Sequence, residues 1–172
     1  MGYGRRGLPS TVLLERQIQS PRDAIATRSN CDGVVAIMAR TDAGEVVLVE
    51  QFRPPVACRV IEFPAGLVGD HGSEDVLVAA ARELEEETGF HARRLRSLWT
   101  GANSAGLTDE TTTMVVAEGL EQRHAGGGVG SEDIVVHLVP LDQLEEWLSE
   151  CEGRGLIVDL KVRLALLALG GK

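Results

Sequence analysis

The stretch ARELEEETGF, which spans residues 81–90, constrains this chain more than any other segment. The residues from 76 to 84 place apolar side chains at the 1, 4, 5 and 8 spacing that is typical of one face of an amphipathic helix. Ser73 can cap the start of such a helix, and Gly89 is suited to end it. The pattern therefore predicts a helix of about four turns from Ser73 to Thr88.

The charge of this helix needs an explanation. Glu83, Glu86 and Glu87 share one face, and like charges at this spacing cost roughly 0.2–0.5 kcal/mol per pair. They also lie in the last turns, where the helix dipole favours cations. One explanation is an ordinary solvated acidic face. The other is a site for a hard divalent cation, because Mg²⁺ is held by a few carboxylates and by substrate phosphates. Arg82 is placed to orient one of the carboxylates.

Composition narrows the function classes. The chain has 172 residues, of which 44% are hydrophobic, so we expect a globular domain with a core. Its formal net charge of −9 argues against nucleic acid or an anionic membrane as the main partner. A phosphorylated small molecule stays compatible with that charge, because a bound metal ion reverses the local sign.

The cysteines and the first residues indicate the compartment. Cys31, Cys58 and Cys151 are scattered and odd in number, which predicts neither a disulfide framework nor a zinc cluster. The first ten residues lack the apolar core of a signal peptide, and no apolar run reaches the length of a membrane span. We therefore expect a cytoplasmic protein with no membrane partner.

The remaining periodicity predicts strands before and after the central helix and two helices at the end. The predicted strands cover residues 11–19, 33–40, 45–52, 59–63, 95–100, 111–120 and 133–140, and the predicted helices cover 141–150 and 159–169. The glycine-rich run at 125–130 is predicted to be a flexible loop. This order of elements favours a mixed sheet covered by helices.

Residues 82–90, together with Glu74, resemble the Nudix box, the signature of the Nudix hydrolase family. Every fixed position in the second half of the box is matched. The first half differs, because seven residues separate Gly66 from Glu74 where the family has five. This difference resembles a two-residue insertion in the loop before the helix.

Four further segments are similar to the ADP-ribose pyrophosphatase branch of the family. They are EQFRPPV, IEFPAGL, GLTDE and EDIVVHLVPLDQL. The resemblance implies an α/β (α+β) fold, a Nudix-type α/β/α sandwich around a central mixed β-sheet. It also implies a Nudix domain over residues 31–172, and an N-terminal strand segment, residues 1–30, that exchanges or packs across a homodimer.

The implied activity is the hydrolysis of the pyrophosphate of ADP-ribose, or of a related nucleoside diphosphate sugar, to a nucleoside monophosphate and a sugar phosphate. Glu83, Glu86, Glu87 and the backbone carbonyl of Ala65 correspond to metal ligands of the relatives. The Mg²⁺ or Mn²⁺ that these ligands hold ionises the attacking water. Arg82 corresponds to a residue that positions one of these glutamates.

The resemblance assigns other positions to the substrate. Arg53 aligns with an arginine that contacts substrate phosphates, and Glu62 aligns with an acceptor for the terminal ribose or an amide. Gly66, the glycine of the box, and Glu110, in the loop that covers the substrate, complete the substrate-binding set. The family usually has Ser-Pro-Gly where this chain has residues 104–106, Ser-Ala-Gly, so the shape of that loop is left open.

Three sources of the general base stay open. In some relatives a glutamate two residues ahead of a Glu-Asp pair serves, but here Gly130 occupies that position ahead of Glu132 and Asp133. Glu132 itself, Glu86, or the metal ions without a dedicated base could ionise the water. Glu132 is equally compatible with an ordinary exposed loop acid.

Alternatives to ADP-ribose hydrolysis also stay open. Another nucleoside diphosphate derivative, such as a GDP-sugar or a dinucleotide, presents the same pyrophosphate to the box. A non-catalytic module that senses such a ligand is a second alternative, although the intact box acids and Arg82 argue against it. Isomerase chemistry on an isoprenoid diphosphate is a third, and the segments IEFPAGL and GLTDE favour the pyrophosphatase branch over it.

Overall fold

The computed structural model describes residues 14–20, 23–28, 31–70, 72–130 and 132–168. The strands are β1 (Leu14–Ser20), β2 (Asp23–Arg28), β3 (Gly33–Arg40), β4 (Glu45–Arg53), β5 (Cys58–Glu62), β6 (Ala65–Val68), β7 (Phe90–Ala102), β8 (Thr111–Gln122), β9 (Ile134–Pro140) and β10 (Ile157–Val158). The helices are α1 (Val76–Thr88), α2 (Leu144–Gly153) and α3 (Leu160–Ala168).

Strand β3 organises the main sheet, which has eight strands in the described part of the chain. It pairs in parallel with β8, and it pairs antiparallel with β6 along its first half and with β4 at its end. Strand β4 continues the sheet through antiparallel pairs with β5 and β9. The result is the mixed sheet that the sequence predicts.

Two hydrophobic layers cover opposite faces of this sheet. On one face, α1 buries Ala79, Ala80 and Leu84 against alternate residues of β3 such as Val35 and Ile37. Full burial of a leucine side chain such as Leu84 stabilises the fold by about 1.5–3 kcal/mol.

On the other face, the two C-terminal helices bury Leu144, Leu148 and Val162 against Leu48 and Ile61. The alternation along the strands separates these layers, because successive side chains of a strand point to opposite faces. The expected α/β/α sandwich is confirmed.

Helix α1 begins later than predicted. Asp75, not Ser73, is the N-cap, and its Oδ1 accepts a hydrogen bond of 2.8 Å from the backbone N–H of Leu77. Glu74 therefore lies outside the helix, and its carboxylate accepts from the backbone N–H of Gly69. The predicted end is confirmed, because Gly89 takes the left-handed conformation with φ of 74°.

Other elements differ from prediction mainly where pairing is long-range. The chain after Pro64 forms β6, and residues 157–158 form β10 beside β5, neither of which the sequence predicted. The first predicted strand is confirmed as β1, which pairs with the unpredicted β2, while residues 11–13 lie outside the described residues. In the described residues, no helix has the length and apolar character needed to cross a membrane.

Candidate active site

Strand β6 lies directly against the acidic face of α1. The backbone N–H of Ala65 donates to Oε2 of Glu87 across 3.1 Å. At the next residue, a Cβ atom on Gly66 would lie 1.9 Å from the carboxyl carbon of Glu83. Only a glycine leaves room for the Glu83 carboxylate at this point. Strand β6 and helix α1 together form the candidate site.

Glu87 is the most deeply buried acid of this site, with 5% of its surface exposed. Burial raises its pKa to about 8, and the negative charges of Glu83 and Glu132 act in the same direction. The hydrogen bond from Ala65 and the charge of Arg53 oppose the shift. The site thus favours a protonated Glu87 until another positive charge enters it.

Glu83 and Glu86 share one cationic partner. The Nη1 atom of Arg82 lies 2.7 Å from Oε1 of Glu83 and 3.4 Å from Oε2 of Glu86. Burial raises the pKa of Glu83, and the charge and hydrogen bond of Arg82 partly offset that effect. Glu86 is the more accessible of the two, since its side chain is 31% exposed against 12% for Glu83.

The other amino group of Arg82 holds the loop before the helix. Its Nη2 atom donates to the carbonyl of Leu67 at 3.1 Å, to Asp70 at 3.3 Å and to Glu74 at 2.9 Å. The sequence predicted that Arg82 orients one glutamate. The structure shows a larger arrangement, in which one guanidinium connects two helix acids with the loop that carries the inserted residues.

A second ion pair lies on β4 and β5. Nε of Arg53 is 2.7 Å from Oε2 of Glu62. Burial raises the pKa of Glu62, while the charge of Arg53 lowers it. Because the charge of Arg53 also acts on Glu87, this pair borders the acidic site.

The glycine-rich loop closes the C-terminal end of α1. The backbone N–H of Gly127 donates to the carbonyl of Glu87 at 2.8 Å, and that of Gly128 donates to the carbonyl of Glu86 at 3.1 Å. These bonds satisfy carbonyls that a helix end leaves without partners. The loop therefore packs on α1, which differs from the predicted flexible loop. The three consecutive glycines were the available signal for such a close approach.

The loop also carries Glu132 toward the site, where its charge acts on Glu87. The side chain of Glu132 is exposed, and its Oε2 accepts a hydrogen bond of 2.9 Å from the backbone N–H of Val129. Glu132 is thus within electrostatic reach of the helix acids while it stabilises its own loop.

Glu110 lies at the opposite side of β3 from β6. Val34 of β3 pairs with Leu67 on one side and with Thr112 on the other. Strands β6 and β8 are therefore about 10 Å apart. The carboxylate of Glu110 accepts a hydrogen bond of 2.7 Å from the Asn103 side chain. Glu110 thus lies in the loop between β7 and β8 and not among the helix acids.

The residues present fit a hard divalent cation. Carboxylate oxygens are the ligands that such ions prefer, and Gly66 leaves the Glu83 carboxylate the space that a side chain would fill. Within the described part of the chain, no group of three or more potential ligands is gathered into a coordination shell. Arg82 holds the carboxylates of Glu83 and Glu86, and the Ala65 N–H holds that of Glu87.

Comparison with known proteins gives a consistent result. The family model of the NUDIX domain matches residues 30–155. A methanol dehydrogenase activator of Bacillus methanolicus is 38% identical over 120 residues, which are 69% of this chain and 63% of that protein. An ADP-ribose pyrophosphatase of Bacillus subtilis (strain 168) is 40% identical over 88 residues, which are 51% of this chain and 46% of that protein.

A solved structure has the same fold. The chain described as the crystal structure of an ADP compounds hydrolase superposes with a TM-score of 0.60 at 24% identity. The superposition covers 73% of this chain and 66% of the other. This chain therefore spans between about half and two thirds of the length of the two relatives and of the solved structure.

Proposed function

This chain belongs to the Nudix family, and on that premise we propose that it is a metal-dependent pyrophosphohydrolase. Its substrate is ADP-ribose or a related nucleoside diphosphate sugar. Water is added across the pyrophosphate, and the products are a nucleoside monophosphate and a sugar phosphate. The similarity to an ADP-ribose pyrophosphatase supports this substrate class.

One observation carries the proposal: Glu83 and Glu87 of one helix face a strand that has a glycine at the point of closest approach, and Arg82 joins Glu86 to Glu83. Burial raises the pKa values of Glu83 and Glu87. Burying two carboxylates at a helix end is unfavourable when no ligand offsets their charge. Perturbed carboxylates of this kind cluster at functional sites. A purely structural acidic face would leave these side chains in water.

Glu83, Glu86, Glu87 and the backbone carbonyl of Ala65 hold the cation in this proposal, and Mg²⁺ or Mn²⁺ fits their oxygen donors. When bound, such an ion offsets the charge of the diphosphate and lowers the pKa of a water molecule. Arg82 is a positioning residue for Glu83 and Glu86, because its guanidinium already contacts both side chains.

Four residues bind the substrate in this proposal. Arg53 contacts a phosphate, and Glu62 accepts a hydrogen bond from a ribose hydroxyl or an amide. Gly66 lets the backbone approach closely, and Glu110 borders the site from the loop between β7 and β8. The Arg53–Glu62 ion pair supports the first two roles, because it presents a donor and an acceptor side by side.

Glu132 is our proposed general base, with Glu86 as the alternative. The support for Glu132 is electrostatic, since its charge acts on Glu87 from the loop that packs on the helix end. The support for Glu86 is its accessibility among the three helix acids. Comparison of Glu132→Gln with Glu86→Gln distinguishes them through the pH dependence of kcat.

We further propose a cytoplasmic homodimer, with residues 31–172 as the catalytic domain and residues 1–30 as the segment that packs across the pair. The pairing of β1 with β2 in a separate two-stranded sheet supports a distinct N-terminal segment. Light scattering on the whole chain and on residues 31–172 tests this arrangement, and the shorter chain is expected to have the mass of a monomer.

A substrate panel tests the proposed activity. The protein is incubated with Mg²⁺ or Mn²⁺ and with ADP-ribose, GDP-mannose, UDP-glucose, NADH or a diadenosine polyphosphate, and the products are identified. We expect AMP and ribose 5-phosphate from ADP-ribose, at a kcat/KM at least about tenfold above the other compounds. Preference for a GDP-sugar or a dinucleotide would support those alternatives, and tight binding without hydrolysis would support the sensing module.

A further inference from the structure

The segment that carries Glu132 lies beyond the end of the sheet. The pairing of β4 with β9 ends at Gln51 and Ile134, so Glu132 and Asp133 have no strand partner in this ladder. On the helix side, the glycine N–H groups attach the first half of the loop to α1. The position of Glu132 therefore depends on what holds the chain between the loop and Ile134.

Arg59 of β5 provides that attachment. Its Nη1 atom donates to Oδ2 of Asp133 at 2.8 Å, and its Nη2 atom lies 3.3 Å from the Asp133 carbonyl. The same guanidinium donates to Glu50 through Nε at 2.5 Å and to the Glu50 carbonyl at 3.2 Å. One side chain thus clamps the chain next to Glu132 onto β4, and it does so with a planar fork that lysine cannot reproduce.

Glu50, the residue of β4 that Arg59 contacts, is itself held by neighbouring side chains. Nε2 of His137 lies 3.0 Å from the second carboxylate oxygen of Glu50, and the His137 ring packs against Trp147 with ring centroids 5.0 Å apart. Glu50 is therefore held between β5 and β9 and under α2. Because Arg59 contacts both Glu50 and Asp133, it holds Asp133 relative to this fixed point.

We propose that Arg59 is a positioning residue, which holds the loop end that carries Glu132 in place beside the helix acids. This inference rests on the proposed hydrolase function and on Glu132 as its base. Stability alone does not explain the clamp, because the side chain of Asp133 is 80% exposed. Exposed ion pairs of this kind contribute little to the free energy of unfolding. A small displacement of a catalytic group, in contrast, lowers turnover strongly.

The test is a set of paired substitutions assayed with ADP-ribose. We expect Arg59→Gln to lower kcat by about tenfold or more while KM changes by less than about threefold. Asp133→Ala removes the side-chain contact at the loop end of the clamp, leaves the contact with the Asp133 carbonyl, and should lower kcat in the same direction. Arg59→Lys should recover little of the loss, because an ammonium cannot reproduce the forked contacts of the guanidinium with Glu50 and Asp133.

A double substitution separates positioning from a general effect. If Arg59 acts through Glu132, adding Arg59→Gln to Glu132→Gln should change kcat by less than about twofold. Effects that multiply in the double variant would overturn the proposal, as would an Arg59→Gln variant with wild-type kcat. Arg163→Gln is the matched control, because Arg163 makes two ion pairs with Glu145 and Glu152 on α2 and should leave kcat unchanged.

Hydrogen exchange provides a readout that is independent of activity. In Arg59→Gln, backbone amides from Gly128 to Ile134 should exchange faster than in the wild type, while those of α1 stay protected. Unchanged exchange in this segment would refute the clamp. A wild type that hydrolyses no nucleoside diphosphate derivative would refute the proposed function instead, and this exchange measurement would still decide whether Arg59 holds the loop.

Discussion

Gly66 of β6 approaches Glu83 of α1 so closely that a Cβ atom at Gly66 would lie 1.9–2.3 Å from the three atoms of the Glu83 carboxylate group. Gly66→Ala must therefore displace Glu83 or separate β6 from α1. We expect the variant to fold but to lose at least about 100-fold in kcat, since reacting groups tolerate little misplacement.

Gly101→Ala is the control for this prediction, because a Cβ atom at Gly101 would meet nothing within 4 Å. Both variants are compared in kcat with ADP-ribose and in melting temperature. Near-normal turnover of Gly66→Ala would show that the Glu83 position is unimportant for the reaction.

Glu87 makes the stability of the metal-free protein depend on pH. Its pKa is raised to about 8, so the folded state favours the protonated form and loses stability as pH rises from about 5 to about 8. The loss is on the order of 1 kcal/mol per pH unit for one such group. We expect Glu87→Gln to remove most of this slope, as measured by urea unfolding in the presence of a chelator.

Added Mg²⁺ should act in the opposite direction. Because the cation binds the ionised carboxylates, its stabilising effect should be larger at pH 8 than at pH 6. Glu145→Gln on α2, an exposed acid, serves as the control. Equal pH slopes in the wild type and in Glu87→Gln would contradict the assignment of this pH dependence to Glu87.

Gly126 is predicted to be essential for the contact between the glycine-rich loop and α1. Its φ is 72°, and a Cβ atom would lie 2.4 Å from the carbonyl carbon of Thr88. Gly130 has a similar φ of 68° but open space around it, so Gly130→Ala measures the backbone strain alone.

The comparison of the two alanine variants isolates this contact. We expect Gly126→Ala to lower the melting temperature further than Gly130→Ala does, and to lower kcat as well, because Glu132 follows this loop. Calorimetry and steady-state kinetics measure the two effects. Equal losses in both variants would mean that the loop needs only its backbone conformation and not its contact with Thr88.

Arg82 supports both the loop before α1 and the acids of the helix. Arg82→Gln removes the cation that contacts Glu74 and Glu83, and we expect a loss of about 3 kcal/mol in the free energy of unfolding. Arg82→Lys should retain part of the stability but little turnover, because lysine cannot contact both groups of acids. Denaturant unfolding and kcat measurements check this, and wild-type turnover in Arg82→Lys would contradict the positioning role.

Local signals in the sequence accounted for most of α1. Apolar spacing fixed the face that packs on the sheet, and Gly89 ends the helix as predicted. The start was wrong because two polar residues, Ser73 and Asp75, compete for the N-cap, and the Asp75 side chain reaches the Leu77 N–H. Such a choice depends on the path of the preceding loop, which Arg82 holds from the middle of the helix.

Long-range contacts account for what the sequence did not predict. Strand β6 has only four residues, and they pair with residues of β3 that lie about 30 positions earlier in the chain. Of the helix acids, Glu83 and Glu87 lie against β6. The clamp from Arg59 to Asp133 joins residues 74 positions apart. Each residue begins a predicted strand, but only the register of β4 with β5 and β9 brings the two together.

The central claim is that the crowded carboxylates of α1 form a cation site, and Mn²⁺ binding followed by electron paramagnetic resonance tests it most directly. We predict that the wild type binds Mn²⁺, and that Glu83→Gln and Glu87→Gln each weaken the affinity at least about tenfold, while Glu145→Gln does not. Equal Mn²⁺ affinity in the wild type and in both helix variants would contradict the account.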